Sequence, residues 1–247
     1  MKDSEFIRPD NLHLFCNSNG HLLTKTPVGI VIEFPGMGGG SCLGGLMEFG
    51  PYETDYAREL AENGILLLYT FPGPWSWMNK GAVRICDAIL DAAILKYGMA
   101  EDCPIVSSGG SMGGHGAMLF CIESRRKMRA CVAACPNFDA WGELWKRDHR
   151  PRAVLSAIAA YDMPLDEAVK SISVTEQMDR LPRIPYFIVG DDLDECFDIA
   201  DTDAFIEKLR AKGFDVDYRR LKDCRHGWWT PESRRASIDF AIKYAKG

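Results

Sequence analysis

The chain has 247 residues, enough for one domain with a full hydrophobic core. Its apolar fraction of 47% and charged fraction of 26% are those of an ordinary globular protein and argue against extensive disorder. The formal net charge of −6 argues against nucleic acid as a partner, because binding phosphates requires concentrated Lys and Arg. The N-terminal residues lack the apolar run of an export signal. The apolar stretch Ile65 to Tyr69 is far shorter than the roughly 20 residues of a membrane span. We therefore expect a cytoplasmic protein with no membrane partner.

Strand-like and helix-like segments alternate along the chain, which is typical of a mostly parallel sheet with helices on both faces. The chain starts with an antiparallel strand at 12–16. Buried strands are then predicted at 28–34, 65–70, 104–108, 130–134, 184–189 and 216–221, and helices at 53–63, 80–97, 112–127, 202–212 and from 231 onward.

One segment breaks this alternation. Residues 136–180 contain several short helical patterns and no strand. We expect a single domain over 1–247 in which 136–180 form a small helical lid or cap.

The residues Gly109-Gly110-Ser111-Met112-Gly113 lie between a predicted strand and a predicted helix. A Gly-x-Ser-x-Gly sequence in that context forms a sharp turn that raises the serine hydroxyl above the edge of the sheet. A base can then approach the hydroxyl from one side and a substrate from the other. The pattern predicts that Ser111 is a nucleophile.

The stretch from Gly109 to Ala117 resembles the esterase and prolyl-oligopeptidase-like branches of the α/β-hydrolase superfamily. The order of elements resembles that superfamily over roughly residues 12–245, whereas the residue-level match is confined to four short loops. The resemblance implies an α/β-hydrolase fold and a serine hydrolase with a catalytic triad in the chain order Ser, acid, His.

A serine hydroxyl needs a base with a pKa near neutrality, and histidine is the usual one. Of the five histidines, only His226 follows the last predicted strand, so we predict that it is the base. His115 lies four residues after Ser111 and is expected to pack under the turn.

The acid that orients the base is expected in the loop after the strand 184–189, which contains several carboxylates. Asp194 is favoured because the sequence Asp-Glu-Cys-Phe that begins with it resembles the acid of the family followed by an apolar turn. The family usually has two residues between the strand-end glycine and the acid, whereas Asp194 has three after Gly190. Asp191 and Asp192 therefore stay open as alternatives, with Asp139 as a more remote one.

Two backbone N–H groups are expected to stabilise the oxyanion of the tetrahedral intermediate. One belongs to Met112, the residue after the nucleophile. The second is expected in the glycine-rich loop after the strand 28–34, which resembles the His-Gly-Gly-Gly type of oxyanion loop with Pro35 in place of the histidine. Met37 is the best match for the donor, and Gly38 is the second choice. The loop lacks the pattern of a phosphate-binding loop.

All six tryptophans are predicted to follow strands. The carboxyl ends of parallel strands form the ligand-binding edge of an open sheet. We therefore expect at least three tryptophans to line the cleft near Ser111 and His226, although packing of the lid is an equal alternative. The predicted substrate contacts are Trp75, Trp77, Trp228 and Trp229.

The leading hypothesis is a carboxylic-ester hydrolase that acts through an acyl-enzyme on Ser111 and takes a small-molecule ester, with a small acyl ester of a sugar as one candidate. No metal or organic cofactor is expected, since no Cys-x-x-Cys pair indicates a zinc site. One alternative is a peptidase of the prolyl-oligopeptidase type, although no propeller precedes the catalytic part. The other is a non-catalytic binding protein of the same fold.

The sequence does not indicate the oligomeric state. The nine cysteines are expected to be reduced and mostly buried.

Overall fold

The computed structural model describes residues 6–38 and 52–247. Their central feature is a sheet of seven strands. The strands are β1 (Cys16–Ser18), β2 (Gly29–Phe34), β3 (Ile65–Thr70), β4 (Ile105–Gly110), β5 (Ala130–Ala134), β6 (Tyr186–Asp191) and β7 (Val216–Leu221). Their order in the sheet is β1-β3-β2-β4-β5-β6-β7, and every neighbouring pair is parallel except β1 and β3.

Helices cover both faces of the sheet, as predicted, and each face has its own hydrophobic core. The helices are α1 (Asp55–Glu62), α2 (Lys80–Tyr97), α3 (Met112–Glu123), α4 (Ala140–Glu143), α5 (Arg150–Ile158), α6 (Leu165–Ser171), α7 (Ile199–Ala211) and α8 (Pro231–Ala245). The larger core joins one face to α2, α3, α7 and the segment 136–180, and the smaller core joins the other face to α1 and α8. The central strands are buried on both faces, which explains their almost continuous apolar sequences.

The direction in which the chain adds strands reverses between β2 and β4, which are neighbours in the sheet. In open α/β sheets, such a switch point leaves a crevice outside the carboxyl ends of the two strands. Phe34 ends β2 and Gly110 ends β4, so the residues that follow directly, 35–38 and Ser111, leave the sheet at this crevice. The topology alone therefore indicates where a ligand would bind.

The predicted strand at 12–16 is wrong. Leu12–Leu14 form a 3₁₀ turn, and the antiparallel edge strand is β1 instead. The buried side chain of Asn19 explains this register, because its amide donates to the carbonyl oxygens of Ala57 and Ile65 and its oxygen accepts the N–H of Leu67. A single side chain thus fixes the end of β1 against α1 and β3.

The segment 136–180 contains α4, α5, α6 and a 3₁₀ turn at Met178–Arg180, with no strand, as predicted. Its apolar side chains belong to the larger core. Asn79 donates to the carbonyl oxygen of Ala157 (2.7 Å), and the Tyr161 hydroxyl accepts the N–H of Lys80 (2.9 Å). The segment is therefore packed against the start of α2, and its action as a lid stays a prediction.

Eight cysteines are unpaired thiols in the described part of the chain, and seven of them are buried. Cys42 lies outside the described residues. Among the helices of residues 6–38 and 52–247, none is long and apolar enough to cross a membrane.

Candidate active site

Ser111 occupies a strained backbone conformation between β4 and α3, with φ of 57° and ψ of −128°. Its N–H donates to the carbonyl oxygen of Ala134 (2.9 Å), which fixes the turn to the neighbouring strand. A Cβ on Gly109 would overlap the backbone of Gly113, and a Cβ on Gly113 would overlap the carbonyl oxygen of Phe34. The motif therefore needs glycine at both positions because strand, turn and helix are in backbone contact.

Three side chains that are far apart in the sequence form one chain of hydrogen bonds. The Ser111 hydroxyl lies 2.9 Å from Nε2 of His226, and Nδ1 of His226 lies 2.7 Å from Oδ2 of Asp194. With the proton on Nδ1, the imidazole donates to Asp194 and accepts from the serine. The structure thus brings together the three residues that the sequence predicts as nucleophile, base and acid.

The boundary of β6 explains the unusual spacing of the acid. This strand ends at Asp191, two residues beyond the predicted boundary, so Asp194 follows it after two intervening residues. Of the alternatives, Asp192 accepts the N–H of Cys224 (3.3 Å), and Asp139 caps the N-terminus of α4 through the N–H groups of two of its residues. Neither carboxylate reaches the imidazole.

The surroundings of Asp194 favour its ionised form. Burial works against the carboxylate, but the hydrogen bond from His226 and those from the N–H groups of Phe197 (2.9 Å) and Cys196 (2.6 Å) outweigh it, so the pKa of Asp194 is lowered. Asp191 differs because its burial dominates and raises its pKa to about 6. Two nearby carboxyl groups therefore differ in charge state near pH 5, as groups with different roles do in many active sites.

Burial by itself would lower the pKa of His226, but the hydrogen bond to Asp194 and the neighbouring Cys135 sulfur outweigh burial and raise it. The site consequently stabilises an imidazolium, which is the form that His226 would take after accepting a proton from Ser111.

The two predicted oxyanion donors lie at the switch point. Met112 is the first residue of α3, so its N–H has no acceptor within the helix. Met37 packs against the larger core, and its carbonyl oxygen accepts the indole N–H of Trp75 (3.3 Å). Gly38, the second choice, is exposed. Their function as oxyanion donors stays a prediction.

His115 is completely buried and does not reach the hydrogen-bond chain of Ser111. Its ring nitrogens lie 3.0 and 2.7 Å from the carbonyl oxygens of Asn137 and Ile172, which connects α3 to the segment 136–180. Burial lowers its pKa to about 4, against the two carbonyl oxygens, which favour the protonated ring. The edge of His115 packs against Trp77 at 5.1 Å between ring centroids.

The tryptophans fall into different environments. Trp77 has no exposed surface, so its side chain belongs to the core and offers nothing to a substrate. Trp75 is 40% exposed and tied to Met37, and Trp228 is 62% exposed in the loop that carries His226. Trp229 packs against the smaller core and, with Gly109 and Gly110, lines a cavity of about 240 Å³.

This cavity contains a carboxyl group that the sequence reasoning missed. Glu33, on β2, lines it together with Arg234, and its Oε2 has neither exposed surface nor a hydrogen-bond partner. Burial raises the pKa of Glu33 to about 7. The only signal in the sequence is that a charged residue interrupts the apolar strand Gly29–Phe34.

Cys135 is a second residue that the sequence reasoning missed. It follows β5 directly, is buried, and places its sulfur with atoms of Asp194 and His226 in one group whose members lie within 4.8 Å of one another. Cys, His and Asp are possible zinc ligands. Both ring nitrogens of His226, however, already lie within hydrogen-bond distance of Asp194 and Ser111, so the arrangement as it stands is that of a hydrogen-bonded triad with a thiol beside it.

No protein-family model matches the sequence, and no curated protein does. Solved structures do match. Esterase B from Lactobacillus rhamnosis, inhibited by a tributyrin phosphonate, superimposes with a TM-score of 0.65 at 16% identity over 90% of this chain and 76% of that one. Puromycin hydrolase gives a TM-score of 0.67 at 17% identity over 90% and 34% of the two chains. Acylaminoacyl peptidase from Pyrococcus horikoshii gives 0.65 at 14% identity over 90% and 36%.

This chain therefore spans about a third of the length of the two latter enzymes and about three quarters of esterase B. At these identities the likeness concerns the fold. Together with the mostly parallel sheet and the serine turn after β4, it shows that the chain has the α/β-hydrolase fold.

Proposed function

We propose that the protein is a serine hydrolase that cleaves carboxylic esters through an acyl-enzyme on Ser111. The observation that carries this proposal is the hydrogen-bond chain from Ser111 through His226 to Asp194 at a strained strand-to-helix turn. Strain persists at functional sites when the surrounding structure enforces it, and here the close backbone contacts of the turn enforce it.

In this mechanism the Ser111 oxygen attacks the ester carbonyl while Nε2 of His226 accepts its proton. The Asp194 carboxylate stabilises the resulting imidazolium. The N–H groups of Met112 and Met37 stabilise the oxyanion. His226 then protonates the leaving alcohol, and a water molecule, deprotonated by the same imidazole, releases the acid from Ser111. No step requires a metal or an organic cofactor.

The choice of an ester rests on similarity to esterase B, with which this chain shares most of its length. We assign substrate contacts to Trp75, which binds Met37, to Trp228, in the loop that carries His226, and to Trp229, which lines a cavity with two glycines of the serine turn. An aromatic surface of this kind suits the ring of a sugar that forms the alcohol part of the ester. A small acyl ester of a sugar is accordingly the substrate class that we would test first.

A peptidase is the second candidate, and the similarity to puromycin hydrolase and acylaminoacyl peptidase supports it. The same three side chains would cleave an amide, with His226 protonating an amine instead of an alcohol. A non-catalytic binding protein is the third candidate. The intact geometry of Ser111, His226 and Asp194 argues against it.

Labelling with a fluorophosphonate tests the nucleophile. We expect the probe to label the protein at Ser111 and to leave Ser111→Ala unlabelled, with Ser156→Ala, a change on an exposed face of α5, as the matched control. An absence of labelling in the folded protein would support a binding protein.

Asp194→Asn should lower kcat by roughly 10⁴-fold, because the imidazole would adopt the wrong tautomer. Asp192→Asn should have a far smaller effect.

A substrate panel then separates the two enzyme classes. Hydrolysis rates would be compared for p-nitrophenyl acetate, longer acyl esters, acetylated sugars and dipeptide anilides. Turnover of the esters with no turnover of the anilides supports the ester proposal. Faster turnover of a dipeptide anilide than of every ester would favour the peptidase.

A further inference from the structure

The acidic residues from the last position of β6 onward, Asp191, Asp192, Asp194 and Glu195, face the loop that carries His226, and each binds a different atom of it. Asp194 binds the imidazole. Glu195 accepts the N–H of His226 itself (3.2 Å), Asp192 accepts the N–H of Cys224, and Asp191 accepts the N–H of Gly227 (3.0 Å). The backbone N–H groups of the base itself, His226, and of the next residue, Gly227, are thus both bound by carboxylates of one short run.

Asp191 differs from the others because it is only 1% exposed. One of its oxygens, Oδ1, has neither exposed surface nor a hydrogen-bond partner. Burying a carboxyl group with so few partners lowers stability, and an apolar residue at the end of a central strand would avoid that penalty. We therefore expect a role of Asp191 other than stabilising the fold.

Asp191 connects the two loops that carry the acid and the base. Its side chain binds the N–H of Gly227, and its carbonyl oxygen accepts the N–H of Asp194 (3.2 Å). Gly227 has a φ of +77°, a conformation that glycine adopts readily, so the hydrogen bond acts on a backbone that has little intrinsic preference. Without it, the residue next to His226 would lose its anchor.

We propose that Asp191 is a positioning residue, which fixes the backbone at Gly227 so that the imidazole of His226 stays between Ser111 and Asp194, and whose negative charge favours the protonated imidazole. The inference rests on the proposed function only in that His226 is taken as the base. The charged and titratable groups that face Asp191 are Asp192 and Asp194 from its own loop and Cys224 and His226 from the loop after β7.

Two substitutions separate the hydrogen bond from the charge. Asp191→Ala removes both, and we expect kcat for p-nitrophenyl acetate to fall by about 10-fold to 100-fold with KM nearly unchanged, because a misplaced base affects the chemical step. Asp191→Asn keeps an oxygen that can accept the N–H of Gly227, and its kcat should stay within about 5-fold of the parent.

The pH profile supplies a readout that a purely structural residue would not change. Removing a negative charge near His226 lowers the pKa of the imidazole, so the acid limb of kcat/KM should move to lower pH by up to roughly 1 unit in Asp191→Asn. The matched control is Asp87→Asn, which neutralises another buried carboxyl group that binds the Ser124 hydroxyl and lies on α2, outside the site. Its limb should not move.

An unchanged limb in Asp191→Asn, or full kcat in folded Asp191→Ala, would overturn the proposal. If Asp191→Ala does not fold, the acid limb of the kcat/KM profile of Asp191→Asn alone tests the proposal. If the parent protein neither labels with fluorophosphonate nor hydrolyses any ester, the proposed function fails instead. An NMR titration of the His226 ring then still tests the inference, which requires a lower imidazole pKa in Asp191→Asn than in the parent.

Discussion

Replacing Ser111 by glycine should remove activity and stabilise the protein relative to replacing it by alanine. Both changes delete the hydroxyl and its hydrogen bond to His226, so that loss cancels in the comparison. The backbone at this position has a φ of 57° with a ψ of −128°, which an alanine must adopt at a cost and a glycine adopts readily. The comparison therefore isolates the strain of the turn.

The expected difference follows from two opposing contributions. Strain of this kind costs a non-glycine residue about 1–3 kcal/mol. Glycine in turn lowers the free energy of unfolding by about 0.5–1 kcal/mol relative to alanine, because it loses more conformational freedom on folding. The difference leaves Ser111→Gly about 0–2.5 kcal/mol more stable than Ser111→Ala. For a domain of this size, each kcal/mol corresponds to about 2–4 °C in Tm.

The assay is urea denaturation of both variants, monitored by tryptophan fluorescence. The free energies of unfolding are compared after checking that the two transitions have equal slopes. Ser156 provides a control of opposite sign. It lies inside α5 on an exposed face, where glycine should be about 1 kcal/mol less stable than alanine. A Ser111→Gly variant that is less stable than Ser111→Ala would refute the reasoning, because the turn would then store no strain.

Two further predictions concern stability around the site. Gly113→Ala places a methyl group against the carbonyl oxygen of Phe34 and should destabilise the protein by about 1–3 kcal/mol and reduce esterase activity, as urea denaturation and p-nitrophenyl acetate turnover would show. Gly116→Ala is the control, because its methyl group would meet only side-chain atoms of Met78, at 3.2 and 3.5 Å, and no backbone atom. Equal stability of the two variants would contradict the clash. Between its ordinary pKa of 4.5 and its folded pKa of about 7, Glu33 is ionised in the unfolded chain but protonated in the folded one, so stability falls as pH rises through this window. Glu33→Gln should therefore add about 3 kcal/mol to the free energy of unfolding at pH 8 and almost nothing at pH 4, and a gain that does not depend on pH would exclude this explanation.

The proposed nucleophile could be predicted from the sequence because its geometry is local. A turn in which Gly109, Ser111 and Gly113 bring a strand and a helix into backbone contact leaves few alternatives, and the residue types record that constraint directly. The strands were predictable for a similar reason, since strands buried on both faces need continuous apolar sequences. His226 followed from its position after the last strand.

The acid depended on where β6 ends, and only the pairing of Asp191 with Leu221 on β7 decides that. The burial of Trp77 against His115 was equally inaccessible, because it arises from packing between α3 and a loop more than thirty residues earlier in the chain. Contacts of this kind leave no periodic pattern in the sequence. The sequence by itself thus determined the turn that presents Ser111 and the order of the elements around it. Only the tertiary structure decided which carboxylate meets His226 and that Asp191 binds the backbone beside it, because both depend on how two distant loops pack at one edge of the sheet.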